Sequence, residues 1–293
     1  MTADSRYAYA RAAAADGDWR AAAEVLEQAL ERAPNWASAW FSLGEARLKL
    51  GETQRAAAAF DAALAADPAD THGAANHLAL LRGGAPHSIP PAYVARLFDD
   101  YAARFDDHLV VQLGYRGPEL IVAALDKVAG ARGYARCLDL GCGTGLAGAA
   151  LRSRVDVLRG VDLSPAMIAM ARQKNIYDQL EVGELVAFLN AGEPGSADLI
   201  VAADVLMYIG ELGAVLAAVS RALAPRGLFV FTLETHAGEG ARLGEHLRFA
   251  HAPPGVVAQA EKVGLAVRAS LEVSMRRETG VDVAGMVGVF ERV

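Results

Sequence analysis

The chain has 293 residues, with 28 Lys+Arg against 35 Asp+Glu for a net charge of -7, and 53% of its residues are hydrophobic. That length predicts two domains and that composition a large core, which excludes a disordered chain. The acidic balance argues against general attraction to a phosphate backbone, so no nucleic-acid partner is expected. Two cysteines, Cys137 and Cys142, stand five apart, too few for a disulfide framework or a metal cage. They point to a reducing, cytoplasmic setting with no metal site. Met1-Thr2-Ala3-Asp4-Ser5-Arg6 lacks a basic region followed by an apolar core, so no signal peptide is expected. The most apolar stretch, 199–219, is broken by Asp204 and Glu211, and no membrane span is expected.

The front of the chain repeats. Ala22, Leu26, Ala29 and Pro34 recur 34 residues later as Ala56, Phe60, Ala63 and Pro68, and Gly17 recurs as Gly51. Small alanines let antiparallel helices approach closely, the glycines allow the turn between them, and the prolines stop the second helix. With Trp40, Leu43 and Gly44 opening the second copy, the pattern resembles the tetratricopeptide repeat, in units at 3–36 and 37–70. The first copy lacks the Trp-Leu-Gly opening, and Arg47 replaces the usual aromatic in the second. Residues 71–82 read as a capping helix, completing a helical domain over 1–82. Two functions stay open for it: a groove for a peptide or partner protein, or a helical cover or homodimer surface.

Gly83-Gly84-Ala85-Pro86-His87-Ser88-Ile89-Pro90-Pro91 breaks both helix and strand and marks the boundary. After it, 93–108 is amphipathic, with Phe98, Tyr101 and Phe105 at helical spacing. Residues 83–114 are assigned to linker and lid helix, and 115–293 to the second domain. There short apolar runs alternate with helical patterns, the mark of a parallel sheet covered on both faces. Strands are predicted at 136–140, 155–162, 179–182, 198–202 and 227–232. Residues 265–274 and 283–291 lack an intervening helix and predict an antiparallel edge hairpin turning at Thr279-Gly280. The fold expected is α/β, a seven-stranded Rossmann-like sheet behind an all-α helical domain.

Ligands on such sheets sit beyond the carboxyl ends of the strands. Gly141-Cys142-Gly143-Thr144-Gly145 follows the first strand there, where glycines let the backbone approach a ligand and the next helix offers N–H groups. Asp162 ends the second strand, 17 residues after Gly145, near the distance at which a carboxylate meets a ribose diol. A nicotinamide dinucleotide is disfavoured, because Leu146 stands where its fingerprint needs a small residue and Asp139 would repel a pyrophosphate. The same carboxylate suits an ammonium or sulfonium, and S-adenosylmethionine carries both.

Leu138-Asp139-Leu140-Gly141-Cys142-Gly143-Thr144-Gly145 and Gly160-Val161-Asp162-Leu163-Ser164 resemble the first two motifs of class I S-adenosylmethionine-dependent methyltransferases. The whole chain is similar to bacterial methyltransferases with N-terminal tetratricopeptide repeats. The resemblance implies that Asp139 and the glycine turn (Gly141, Cys142, Gly143, Gly145) hold the methionine end of S-adenosyl-L-methionine. It implies Asp162 on the ribose, Leu163 and Met167 flanking the adenine, and Glu184 with the Leu185 N–H at the adenine edge. In similar enzymes a helix of the Tyr-x3-aromatic-Asp type closes over the cofactor, which makes Tyr101 and Arg104 contacts to the methionine carboxylate or the acceptor.

Methyl transfer is an in-line displacement, so the protein mainly aligns the nucleophile and excludes water, and a base is needed only for a protonated acceptor. Asp204, after the fourth strand, is a candidate anchor for cofactor or acceptor. Its segment is not the Asn/Asp-Pro-Pro-Tyr/Phe sequence used on planar nitrogens. His251, expected in a loop, ranks first among candidate bases, with His236 and Glu234 candidates by position after the fifth strand. The expected activity is methyl transfer to a small metabolite or a peptide or protein side chain, with the repeats recruiting a partner or forming a homodimer. The alternative is a catalytically silent cofactor-binding scaffold.

Overall fold

A computed structural model describes residues 1–84, 88–244, 247–278 and 281–293. The chain divides into two compact units, Met1–Tyr93 and Val94–Val293. The middle of the expected linker, 85–87, and the expected turn at Thr279-Gly280 lie outside the described residues.

The first unit is a run of helices: α1 (Ala3–Ala15), α2 (Trp19–Leu30), α3 (Ala37–Lys49), α4 (Thr53–Ala66) and α5 (Ala74–Leu81). Alanines set its packing. Ala22, Ala23, Ala39, Ala46 and Ala59 are buried with Leu26, Leu30 and Leu43 in one cluster, and Ala56, Phe60, Ala63, Ala74 and Leu78 in a second. At Gly44 an added Cβ would lie 2.5 Å from the Phe60 ring, so α3 and α4 meet where only hydrogen fits. Gly17 and Gly51 have open space around them but left-handed φ of +81° and +76°, so the repeated turn needs glycine for its backbone alone. Arg47, where the repeat pattern has an aromatic, is buried and pairs with Glu27 of α2 and Glu52 before α4. It ties three elements together by charge. The final helix begins at Ala74 rather than the expected Thr71, because two carboxylates hold a turn ahead of it. Asp67 accepts the Thr71 N–H at 2.9 Å, and Asp70 accepts the N–H groups of Ala74 and Ala75 at 2.6 and 3.0 Å.

The second unit opens on the remainder of α6 (Pro91–Tyr101), a 3-10 turn at Ala102–Arg104 and a π-helical turn at Asp107–Gln112, then α7 (Gly117–Ala129). Its sheet comprises β1 (Tyr134–Leu140), β2 (Val155–Asp162), β3 (Gln179–Val182), β4 (Ala197–Ala202), β5 (Leu223–Thr235), β6 (Ala241–Leu243), β7 (Phe249–His251), β8 (Leu265–Glu278) and β9 (Val281–Arg292). Between the strands lie α8 (Leu146–Leu151), α9 (Pro165–Gln173), α10 (Leu185–Ala191), α11 (Gly213–Ala222) and α12 (Pro253–Lys262). The pairing runs β3-β2-β1-β4-β5, all parallel, continued by β9 antiparallel to β5 and β8 antiparallel to β9. Parallel strands buried on both faces read as nearly continuous apolar runs, as β4 and the middle of β5 do. Accordingly Ile200, Ala202, Phe229 and Phe231 enter one core cluster, while Leu199, Val201, Leu228 and Val230 enter the other.

Seven strands were expected, and two more are present among the described residues. β5 runs beyond the last β4 pair, Ala202↔Phe231, and its edge there is taken by β7 at Glu234↔Ala250 and Thr235↔His251. β6 pairs with β7 to close the ribbon. His251 therefore lies in a strand and not in a loop. Three-residue strands among glycines leave too short an alternation to read in sequence. Among the described residues, no helix is long and apolar enough to cross a membrane, and no group of His, Cys, Asp or Glu side chains is gathered to hold a metal ion.

Candidate functional site

The order of the sheet places the reversal point between β1 and β4, and the turn after β1 sits there. Gly141 and Gly143 are left-handed, φ +61° and +54°. A Cβ at Gly141 would come within 2.3 Å of Val205, whereas at Gly143 it would meet nothing nearer than the Phe105 ring at 4.0 Å. The first glycine admits the β4 loop and the second leaves room above the backbone. Asp162, at the end of β2, accepts the Gly143 N–H at 2.8 Å and the Ser164 N–H at 2.9 Å, so one carboxylate ties the two loops. Burial raises its pKa, against these N–H donors.

Asp139 is buried. Its Oδ2 accepts the Tyr177 hydroxyl at 2.6 Å, while its Oδ1 is buried without a hydrogen-bond partner. Burial pushes its pKa up to about 7, the Tyr177 hydrogen bond opposing. Tyr177 did not emerge from the sequence. The available signal was small residues, because a Cβ at Gly145, Gly148 or Gly160 would press within 3 Å of its ring or hydroxyl. Cys142 is buried beside this group, and burial pushes its thiol pKa up, which leaves it inert.

The residues implied at the adenine lie at the following positions. Leu163 is half-buried after β2, and Met167 is fully buried on α9. Leu185 is buried at the start of α10, and Glu184 is the N-cap of that helix, its two oxygens accepting the Val186 and Ala187 N–H groups at 3.0 and 2.8 Å. Both oxygens of Glu184 are thus engaged by backbone.

Asp204 follows β4 with a left-handed φ of +57°, a strained conformation for a non-glycine residue. It is not a helix cap for the 3-10 turn Leu206–Tyr208. Its N–H donates to Thr232 Oγ1 at 2.8 Å, its Oδ1 accepts from Thr232 at 3.2 Å, and its Oδ2 accepts from Arg276 at 3.1 Å. Arg276 also binds Glu234, which lies 3.4 Å from Arg248. Burial lifts the Asp204 pKa to about 6 against the pull of Arg276. Arg276 was invisible in sequence because a β-bulge delivers it. Between Ser274 and Arg277 the β8 register shifts by one residue against β9, and consecutive Met275 and Arg276 are both buried. Tyr115, buried near Asp204 and Arg276, completes the wall, its phenol pKa pushed well up by burial.

The two histidines are placed differently. His236 is engaged by its own turn, Nδ1 accepting the Gly238 N–H at 3.0 Å and Nε2 lying 3.2 Å from the Gly240 carbonyl. His251 is buried, its Nε2 without a hydrogen-bond partner. Burial lowers its pKa, the Leu206 and Ile209 carbonyls opposing, so its ring is neutral at pH 7.

Above the strand ends, α6 and the turns after it present an aromatic underside. Phe98 meets Phe105 and Tyr208 edge-on at 6.0 and 5.7 Å, and Tyr101 meets Phe105 at 5.3 Å. The Tyr101 hydroxyl bonds His108 Nδ1, and the exposed Arg104 guanidinium lies 5.5 Å from the Tyr101 ring centre.

Comparison with known proteins bears on the fold and the domains. Residues 138–229 match the methyltransferase domain family, and residues 7–71 match the tetratricopeptide repeat. Human methyltransferase-like protein 27 is 37% identical over 101 residues, 33% of this chain and 41% of that protein. The ubiquinone biosynthesis O-methyltransferase of Xanthomonas campestris pv. campestris (strain B100) is 32% identical over 103 residues, 34% of this chain and 43% of that one. The chain thus spans about two fifths of the length of these curated relatives. Among solved structures, Burkholderia thailandensis 1,6-didemethyltoxoflavin-N1-methyltransferase, with bound 1,6-didemethyltoxoflavin and S-adenosylhomocysteine, aligns with TM-score 0.55 at 18% identity. It covers 71% of this chain and 92% of that one. Magnesium protoporphyrin IX methyltransferase from Synechocystis PCC 6803, with bound S-adenosylhomocysteine, aligns with TM-score 0.54 at 16% identity, covering 69% and 99%. At such identities the likeness is one of fold.

Proposed function

Starting from a chain that carries a methyltransferase domain over 138–229 behind tetratricopeptide repeats over 7–71, we propose that it transfers a methyl group from S-adenosyl-L-methionine to a polar acceptor. One observation carries this reading: a left-handed glycine turn stands between a buried carboxylate with an unpartnered oxygen, Asp139, and a second carboxylate, Asp162, tied to the turn itself.

The residues fit the cofactor. The orphaned Asp139 oxygen is satisfied by an ammonium, which also offsets the cost of a buried charge. Asp162 retains lone pairs for a ribose diol while holding Gly143 in place. Leu163, Met167 and Leu185 are the apolar set for the adenine, with Glu184 at its edge. When bound, the cofactor supplies an activated methyl on a sulfonium.

The chain's own residues then do the aligning. Asp204 lies at the end of β4, where the acceptor meets the methyl, and Arg276 fixes its carboxylate. Its pKa near 6 leaves it ionised at pH 7 and basic enough to take a proton from an acceptor hydroxyl or ammonium. We assign this role to Asp204 ahead of His251, whose ring is buried, and ahead of His236, whose two nitrogens serve its own turn. Phe98, Tyr101, Phe105 and Tyr208 exclude water from above. The repeats serve to bring an acceptor peptide or partner protein to the chain.

A thermal shift titration with S-adenosylhomocysteine, S-adenosylmethionine and NAD tests the reading. Saturation at a hundredfold excess over Kd adds about 2.7 kcal/mol to apparent stability. A shift with the two adenosyl ligands, lost in Asp162→Ala, is the expected result. A shift with NAD alone refutes it.

A further inference from the structure

The segment from α6 to the π-helical turn carries acidic residues that its aromatic face leaves unexplained. Two of them bind the loops bordering the site. Asp99 Oδ1 accepts the Ser164 hydroxyl at 2.5 Å and the Ala166 N–H at 3.0 Å, at the start of α9. Ser164 is itself the cap of that helix, accepting the Met167 N–H at 3.0 Å. Seven residues on, Asp106 accepts the Thr144 hydroxyl of the glycine turn through Oδ1, and its Oδ2 lies 2.8 Å from Lys174 Nζ beyond the other end of α9. Lys174 also reaches Thr144, at 3.4 Å. The two clasps therefore stand on either side of Asp162 and Gly143, one on the loop after β2 and one on the turn after β1. Between them Phe105 lies over Gly143.

We propose that Asp99 and the Asp106–Lys174–Thr144 group are positioning residues that latch this segment over the cofactor, and that their strength sets how fast cofactor enters and product leaves. The inference rests on the cofactor reading above. Every group in the latch belongs to the chain, so the latch closes whether or not ligand lies beneath it. A latch of this kind slows entry and release together. A residue that touches the ligand changes release while leaving entry nearly alone. The strength is suited to a gate: the Asp106 and Lys174 side chains are 36% and 28% exposed, and partly exposed pairs are weak enough to open readily.

The test uses the full chain and S-adenosylhomocysteine in surface plasmon resonance. In Lys174→Met and in Asp99→Ala, association and dissociation rates are each expected to rise about fivefold, with Kd changed less than about threefold. The charge-reversed pair Asp106→Lys with Lys174→Asp is expected to restore slow exchange. Raising salt from 0.05 to 0.5 M is expected to speed both rates in the wild type and much less in Lys174→Met. Unchanged rates in both single variants overturn the latch. So does faster dissociation with unchanged association, which would make these residues direct ligand contacts. A folded wild type that does not bind S-adenosylhomocysteine overturns the cofactor reading itself and the latch with it.

Discussion

Asp139→Asn separates what the buried carboxylate costs the fold from what it gives the site. The side chain keeps its shape, and its oxygen still accepts from the Tyr177 hydroxyl. The carboxyl pKa stands at about 7 in the folded protein against 3.8 when exposed, through burial. A folded pKa above the unfolded one means that folding binds a proton. The contribution of this group to stability is therefore complete below about pH 4 and is lost as pH rises through 7. At pH 8 the ionised, buried carboxylate costs about 4 kcal/mol. Asparagine removes that cost, which is already net of the opposing Tyr177 hydrogen bond. The variant is thus expected to be about 3–4 kcal/mol more stable at pH 8, roughly 6–16 °C in the transition of the second unit. At pH 5 the gap narrows to about 2 kcal/mol. On the proposed reading the same substitution removes the charge that would meet the cofactor ammonium, and S-adenosylhomocysteine binding is expected to weaken roughly 10–150-fold. Calorimetry between pH 5 and 8, with a ligand titration at each end, reads both effects. A variant less stable than wild type at pH 8, or a gap that does not change with pH, refutes the account of a buried, uncompensated charge.

Further substitutions probe the rest of the frame. Gly141→Ala meets Val205 and a left-handed φ at once, so it is expected to lose about 1–3 kcal/mol in denaturant titrations and to bind S-adenosylhomocysteine poorly; Gly51→Ala, strained in φ alone, is expected to leave binding intact. Arg276→Met strands Asp204 and Glu234 without their shared cation and is expected to cost about 3–5 kcal/mol, part of it recovered when Asp204→Asn is added; full additivity of the two losses would exclude the coupling. Phe60→Ala is expected to cost the first unit about 3–5 kcal/mol while the ligand-induced shift of the second unit persists, and loss of that shift would refute the assignment of the ligand site to the second unit by itself.

β4 and the middle of β5 were legible because they are buried on both faces and so read as apolar runs. β2 and β3 fall on the stretches marked from sequence. The repeats were legible because close helix packing forces small residues to recur at a fixed period. The glycine turn was legible because few other residue types satisfy a left-handed backbone.

What escaped were contacts assembled from distant segments. The sequence by itself determined where the parallel strands and the left-handed glycine turn fall, since those constraints are local. Tertiary structure alone decided that Tyr177 engages Asp139, that a bulge turns Arg276 toward Asp204, and that β7 draws His251 into a buried strand. It also decided that Asp99 and Asp106 reach the loops after β2 and β1, across 65 and 38 residues of chain. Such pairings depend on register, edge exposure and burial, which are properties of the packed sheet rather than of any one segment.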